Sequence, residues 1–160
     1  MSQSRVTHLR STWTLQASPR EVWSVLASAA DWPTWWPGLT SSVIKQGTPD
    51  GVGTAGLLTF ASPLGYRLHL GLEVIQSEPP SEVMMRSDGD LVGTAHARLL
   101  GFADSSIVII DWRVSLRRPA LAQAERLAPA IMHWAHHRVM KSGERGLRAY
   151  LSRNADVIDR

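Results

Sequence analysis

The chain has 160 residues, 44% of them hydrophobic and 19% charged, which fits one folded domain over residues 1–160 and excludes a disordered polypeptide. It contains no cysteine, so disulfides, thiolate metal sites and cysteine nucleophiles are all ruled out. The formal net charge is +3, but the basic residues are scattered apart from a modest concentration at Arg138–Arg153. With no basic–aromatic RNA motif and no helix-turn-helix pattern, no nucleic-acid partner is expected.

Met1–Arg10 lacks the apolar run of a signal peptide, and no stretch approaches the roughly 18 apolar residues that cross a bilayer. A soluble, cytoplasmic protein is therefore expected. Val6–Gln16, rich in Thr, Trp, Val and Leu, reads as a strand. Ser18-Pro19-Arg20-Glu21 then opens a helix: Ser18 can cap, Pro19 suits the first position, and Glu21 completes a capping box. That helix buries Val22, Trp23, Val25 and Leu26 and runs to about Ser28. A second short helix over Ala30–Trp36 is broken by Pro33 and stopped by Pro37-Gly38.

From Thr40 the apolar period becomes two. Strands are expected over Ser41–Gln46, Ala55–Ala61, Tyr66–Gln76, Glu82–Arg86, Leu91–Phe102 and Ser106–Leu116. Each gap carries turn residues, such as Thr48-Pro49-Asp50-Gly51 and Ser87-Asp88-Gly89-Asp90, so the strands form an antiparallel meander. Ala120–Arg153 is helical in composition, with Pro129 marking a kink or a late start. Its apolar face holds Met132, His136, Val139, Met140, Gly143, Leu147 and Tyr150, opposite Arg138, Lys141, Arg145 and Arg148.

Three stretches carry a family resemblance. They are Ser18–Trp23 with Asp31–Gly38, then Asp50–Gly53 with Ser87–Thr94, and finally Asp111–Val114 with His133–Met140 and Gly143–Leu147. Together the chain resembles the polyketide cyclase/dehydrase-like proteins of the START (SRPBCC, Bet v 1-like) superfamily. The resemblance implies an α+β helix-grip fold, a seven-stranded curved antiparallel sheet around a long C-terminal helix, with a cavity between them. Relatives cyclise polyketides or carry lipids, quinones or hormones, so no single reaction is implied. Where the subgroup often has Trp-Asn-His-Asp, this chain has Trp134-Ala135-His136-His137. A role that needs a carboxylate beside the histidine does not carry over.

His136 should point from the helix toward the sheet, where it would be a satisfied core residue, a ligand-orienting donor or an acid/base. His133 and His137, one turn apart, have metal-clamp spacing, but no third ligand is evident except Glu144; no metal and no cofactor are expected. Inward-facing positions are expected to be Val108, Ile110, Trp112 and Val114, with Ala95, Ala97 and Leu99, and Leu68, Leu70 and Leu72 on the central strand. Asp111 should meet Arg98 on the outer face. Across the preceding hairpin the register brings Leu57 and Thr59 inward and leaves Leu58 and Phe60 outside, a conflict that the sequence leaves open; a monomer is expected, or a weak homodimer if Leu58 and Phe60 are exposed. Tyr66 reaches the rim. Trp32, Trp35 and Trp36 read both as an aromatic gate at the entrance and as packing for the short helices, with Trp35 or Trp36 expected to reach the cavity.

The expected ligand site is thus Trp35, Trp36, Leu57, Thr59, Tyr66, Leu68, Leu70, Trp112, Met132, His136, Val139 and Met140. A mostly apolar lining with few polar groups favours binding of a small hydrophobic or aromatic ligand, polyketide- or lipid-like, over chemistry. Two alternatives stay open: a polyketide cyclase/dehydrase using His136 as acid/base, and a membrane-associated lipid or quinone carrier using the basic helix face.

Overall fold

The structure, a computed structural model, describes residues 5–158, without the side chains of Ser42, Ile44 and Ile158. Met1–Ser4, part of the segment read as lacking a signal peptide, lie outside the described residues. Strand β1 (Thr7–Leu15) leads into helix α1 (Pro19–Ala27) and a 3-10 helix (Ala29–Thr34). Six strands follow: β2 (Leu39–Lys45), β3 (Ala55–Ala61), β4 (Arg67–Glu78), β5 (Glu82–Gly89), β6 (Leu91–Phe102) and β7 (Ser105–Leu116). Two helices close the chain, α2 (Pro119–Leu127) and α3 (Pro129–Ile158). This is the helix-grip fold: a curled seven-stranded antiparallel sheet in the order β1-β7-β6-β5-β4-β3-β2 against a long helix.

Local chemistry sets the boundaries. The Ser18 hydroxyl accepts from the Glu21 amide while the Glu21 carboxylate accepts from the Ser18 amide at 2.8 Å, so two donors at the α1 terminus are satisfied reciprocally. Pro33 holds the second short helix to a 3-10 turn rather than an α-helix. Pro129, which cannot continue the hydrogen-bond ladder of α2, splits the expected single helix in two; Ala128 between them is non-helical.

Tight pairing fixes the inner face. Ala95 lies opposite Trp112, Ala97 opposite Ile110 and Leu99 opposite Val108, which keeps all six on the inner face as expected. On the outer face Asp111 accepts two bonds from the Arg10 guanidinium, at 2.6 and 3.1 Å, and one from Arg98 at 3.3 Å. The Arg10 hydrogen bonds, with a smaller Arg98 contribution, hold the Asp111 carboxyl below its usual range. Three adjacent strands are joined there.

The β3 register differs from expectation. Leu58 pairs with Leu70 and Phe60 with Leu68, so Leu58 and Phe60 are buried in the core. Leu57 is 55% exposed, and Thr59 bonds His69 Nδ1 at 3.0 Å on the outer face. Ser62–Tyr66 form a five-residue connection closed by the Ser62 amide on the Tyr66 carbonyl, and that loop length sets the alternation opposite to the expected one. With Leu58 and Phe60 inside, they offer no surface for a homodimer.

Helix α3 approaches the sheet closely because two small residues sit one turn apart. A Cβ on Gly143 would lie 2.5 Å from the Trp36 ring, and one on Gly146 would lie 1.8 Å from the Trp35 carbonyl. Trp36 therefore packs edge-on against Trp13 (5.4 Å between centroids) and Phe60 (5.2 Å), and stacks on Trp35 at 5.6 Å. Its indole N–H donates to the Val139 carbonyl at 3.2 Å.

Candidate functional site

Past the tryptophan cluster, α3 and the sheet diverge and α2 covers the gap. Arg118 anchors the start of α2: its guanidinium donates to Asp90 at 2.8 Å and to the Arg67 carbonyl at 3.1 Å, tying the helix to β4 and the β5–β6 turn. Pro119 supplies the first helical position, and one face of α2 turns Leu121 and Glu125 inward. The Thr7 hydroxyl of β1 donates to the Glu125 carboxylate, 118 residues away in sequence.

The resulting cavity has a volume of about 100 Å³. Its sheet side consists of Thr7 and Leu9 (β1), Phe60 (β3), Leu68 and Leu70 (β4), Leu91 (β6), and Trp112 and Leu116 (β7), with Ser62 and Tyr66 from the β3–β4 turn. Its helix side is Glu125 from α2 and Met132, His133, Ala135, His136, Val139 and Met140 from α3. Apolar side chains dominate, and the polar groups are few.

Two of those polar groups are orphaned. The Trp112 indole N–H and His136 Nε2 are buried and have no hydrogen-bond partner. Burial, aided by the neighbouring His133 and His137, lowers the His136 pKa to about 4, so its imidazole is neutral at physiological pH. A neutral ring carries one donor and one acceptor nitrogen. Glu125, 6% exposed, accepts a hydrogen bond from the Thr7 hydroxyl. The cavity thus presents an indole donor, an imidazole and a carboxylate to whatever enters it. This set can orient a carbonyl or hydroxyl, and it can accept a proton, but a neutral imidazole is not an acid reservoir.

Of the residues expected at the site, Tyr66, Leu68, Leu70, Trp112, Met132, His136, Val139 and Met140 line this cavity together. Four do not. Leu57 and Thr59 face outward, as the β3 register requires. Trp35 and Trp36 are buried in the core against Gly143 and Gly146, and the ring that packs edge-on against Trp36 and lines the cavity is Phe60. The expectation that one of them lines the cavity is corrected by that close helix approach.

The histidine pair separates: His133 lines the cavity, whereas His137 borders a hollow on the outer side of α3. Glu144, the possible third ligand, is buried and accepts from Lys141 and Arg148, each at 3.1 Å. Among the described residues no three His, Asp or Glu side chains converge as a metal site. Glu125 is the functional candidate that sequence reasoning missed. An acid on an amphipathic helix reads as solvent-facing, and the sole hint was its position four residues after Leu121 on the apolar side of α2.

The sequence matches the family model described as "Polyketide cyclase / dehydrase and lipid transport" over residues 6–152. No curated protein matches it by sequence. Among solved structures, Zhui aromatase/cyclase from Streptomyces is similar with a TM-score of 0.75 at 13% identity, over 94% of this chain and 96% of that one. A START superfamily protein from Mycobacterium smegmatis gives 0.73 at 12% identity, over 91% and 97%. A protein from Thermus thermophilus gives 0.70 at 17% identity, over 89% and 99%. At these identities the structural likeness carries the fold alone. Among the described residues no helix is long and apolar enough to cross a membrane.

Proposed function

This chain belongs to the polyketide cyclase/dehydrase and lipid transport family, and from that premise we propose that it binds a small hydrophobic or aromatic ligand between the sheet and α3. One observation carries the reading: an apolar cavity is lined by two residues whose buried polar atoms, Trp112 Nε1 and His136 Nε2, lack partners. Each unmet group costs about 1–3 kcal/mol, a penalty that a ligand oxygen would relieve. The ligand is accordingly apolar over most of its surface with a carbonyl or hydroxyl at one edge. An apolar cavity of roughly 150 Å³ holds a benzene. At about 100 Å³, this one takes a small ring or a short acyl segment unless α2 and α3 part at Ala128.

Tryptophan fluorescence titration with a panel of small aromatic and acyl ligands tests the proposal, alongside native mass spectrometry of protein purified from its own host. Binding that weakens about tenfold in Trp112→Phe supports it. An empty protein whose fluorescence ignores the panel would sink it.

Glu125 gives the cyclase/dehydrase alternative a specific footing, because it supplies to the same cavity the carboxylate that the Trp134–His137 stretch lacks. In that reading neutral His136 takes a proton from the substrate and Glu125 accepts a hydrogen bond from its hydroxyl. His136→Ala separates the two readings: turnover of a poly-β-ketone vanishes if His136 is the base, whereas affinity falls only modestly if it orients.

A further inference from the structure

The outer side of the helices carries a feature that the cavity does not use. Residues 119–153 contain Arg126, Arg138, Lys141, Arg145, Arg148 and Arg153 against two acids, Glu125 and Glu144, and both acids are buried. Every exposed full charge on this face is therefore positive. Glu144 partly offsets Lys141 and Arg148, but Arg138 and Arg145 have no carboxylate partner among the described residues. They border an open hollow with Pro37 and Ser142.

The two helices also expose apolar bulk around their junction. Leu127, at the end of α2, is 79% exposed, and Ile131 and Trp134 in the first turns of α3 are 50% and 49% exposed. Ile131, Trp134, Arg138, Lys141 and Arg145 follow one another at alternating spacings of three and four, which places them on a single stripe. The stripe is apolar at the α2–α3 elbow and cationic one turn further on. Arg138 lies over the Trp134 ring at 5.7 Å, joining the two zones.

We propose that this stripe docks the protein on an anionic lipid surface, with Leu127, Ile131 and Trp134 entering the headgroup region and Arg138, Lys141 and Arg145 contacting the phosphates. The apolar residues protrude singly from a helix elbow rather than lining a groove, which suits a fluid interface better than a shaped protein partner. Trp and Arg at one level, with cations beside them, match the interfacial zone of a bilayer. The inference is independent of what the cavity holds.

The test is vesicle co-sedimentation of the full chain, with phosphatidylcholine vesicles compared with the same vesicles containing phosphatidylglycerol. Binding is expected only with the anionic lipid and should fall sharply at high salt. Each basic residue near such a surface is worth roughly fivefold in affinity, so Arg138→Gln with Arg145→Gln should weaken binding about 20-fold. Trp134→Ser should weaken it as well, and brominated lipid should quench wild-type fluorescence more than that of Trp134→Phe. Phe102→Ser, which removes an exposed apolar residue on the β6–β7 turn, should leave binding unchanged. Thermal melts establish that each variant is folded. Absence of binding to anionic vesicles overturns the proposal, as does equal binding by the double arginine variant or equal loss in Phe102→Ser. Retention by an acidic polypeptide but not by vesicles would assign the stripe to a protein partner and also overturn it. Ligand titration of the cavity is read separately, so failure of one result leaves the other standing.

Discussion

Lowering the pH from 7 to 5 should cost the wild-type protein about 2 kcal/mol of stability that a His136→Leu variant keeps. The His136 ring is held neutral by burial and by its neighbours His133 and His137, with a folded pKa of about 4 against 6.5 when unfolded. A depressed folded pKa means that the unfolded chain takes up the proton first. The associated stability is complete above pH 6.5 and is lost as the pH falls through 4. The full shift corresponds to about 3 kcal/mol, and roughly 2 kcal/mol of it is gone by pH 5. Leucine fills the position without a titrating group and leaves Glu125 and His133 in place on the cavity wall. Urea unfolding followed by tryptophan fluorescence, for both proteins at both pH values, gives a difference of differences in which the other groups cancel. If the two proteins lose stability equally between pH 7 and 5, His136 is not buried as described and the argument fails.

Three further perturbations test the frame around the cavity. Gly143→Ala would press a methyl group into the Trp36 and Trp13 rings, at 2.5 and 3.0 Å, and should cost about 1–3 kcal/mol in a thermal melt. Glu144 and its cations should respond asymmetrically. Glu144→Gln frees Lys141 and Arg148, both nearly half exposed, to return to water, at a cost of about 1–3 kcal/mol. Lys141→Ala with Arg148→Ala strands a buried carboxylate and should cost about 3–5 kcal/mol, measured by denaturant unfolding. Leu57→Ser should leave both stability and ligand titration within error, while Leu70→Ala, on the opposite face of the sheet, should lose about 2–5 kcal/mol.

Features whose cause is local were legible in the sequence. The Ser18–Glu21 box and the period-two alternation of β6 and β7 each act within a few residues, so α1 and the inner face of those strands followed directly from residue type. The inner face of α3 was legible for the same reason, since helical period alone puts Met132, His136, Val139 and Met140 together. Long-range causes were not. The facing of Leu57 and Thr59 depends on how five loop residues close, and a one-residue slip inverts a whole strand. Glu125 is buried where it meets Thr7 of β1, a long-range contact that only its place four residues after Leu121 hinted at. The positions of Trp35 and Trp36 are set by Gly143 and Gly146, more than a hundred residues later. A pair of small residues at i and i+3 on a helix facing adjacent tryptophans was a readable signal in retrospect.

The strand order has a consequence for how the molecule comes into being. Strands β1 and β2 follow one another in the chain yet occupy opposite edges of the sheet, and β1 pairs with β7, with Thr7 opposite Val114. On the ribosome, β2 to β7 can zip as successive hairpins, while the first strand made has nothing to pair with until the last strand has emerged. The tryptophan packing waits longer still, because Trp13 and Trp36 close on Gly143. Throughout that interval Trp13 and Leu15, among the most deeply buried side chains of the finished protein, are in water. The domain is therefore most exposed to aggregation and to chaperones at β1, and α3 is the element that ends the exposure.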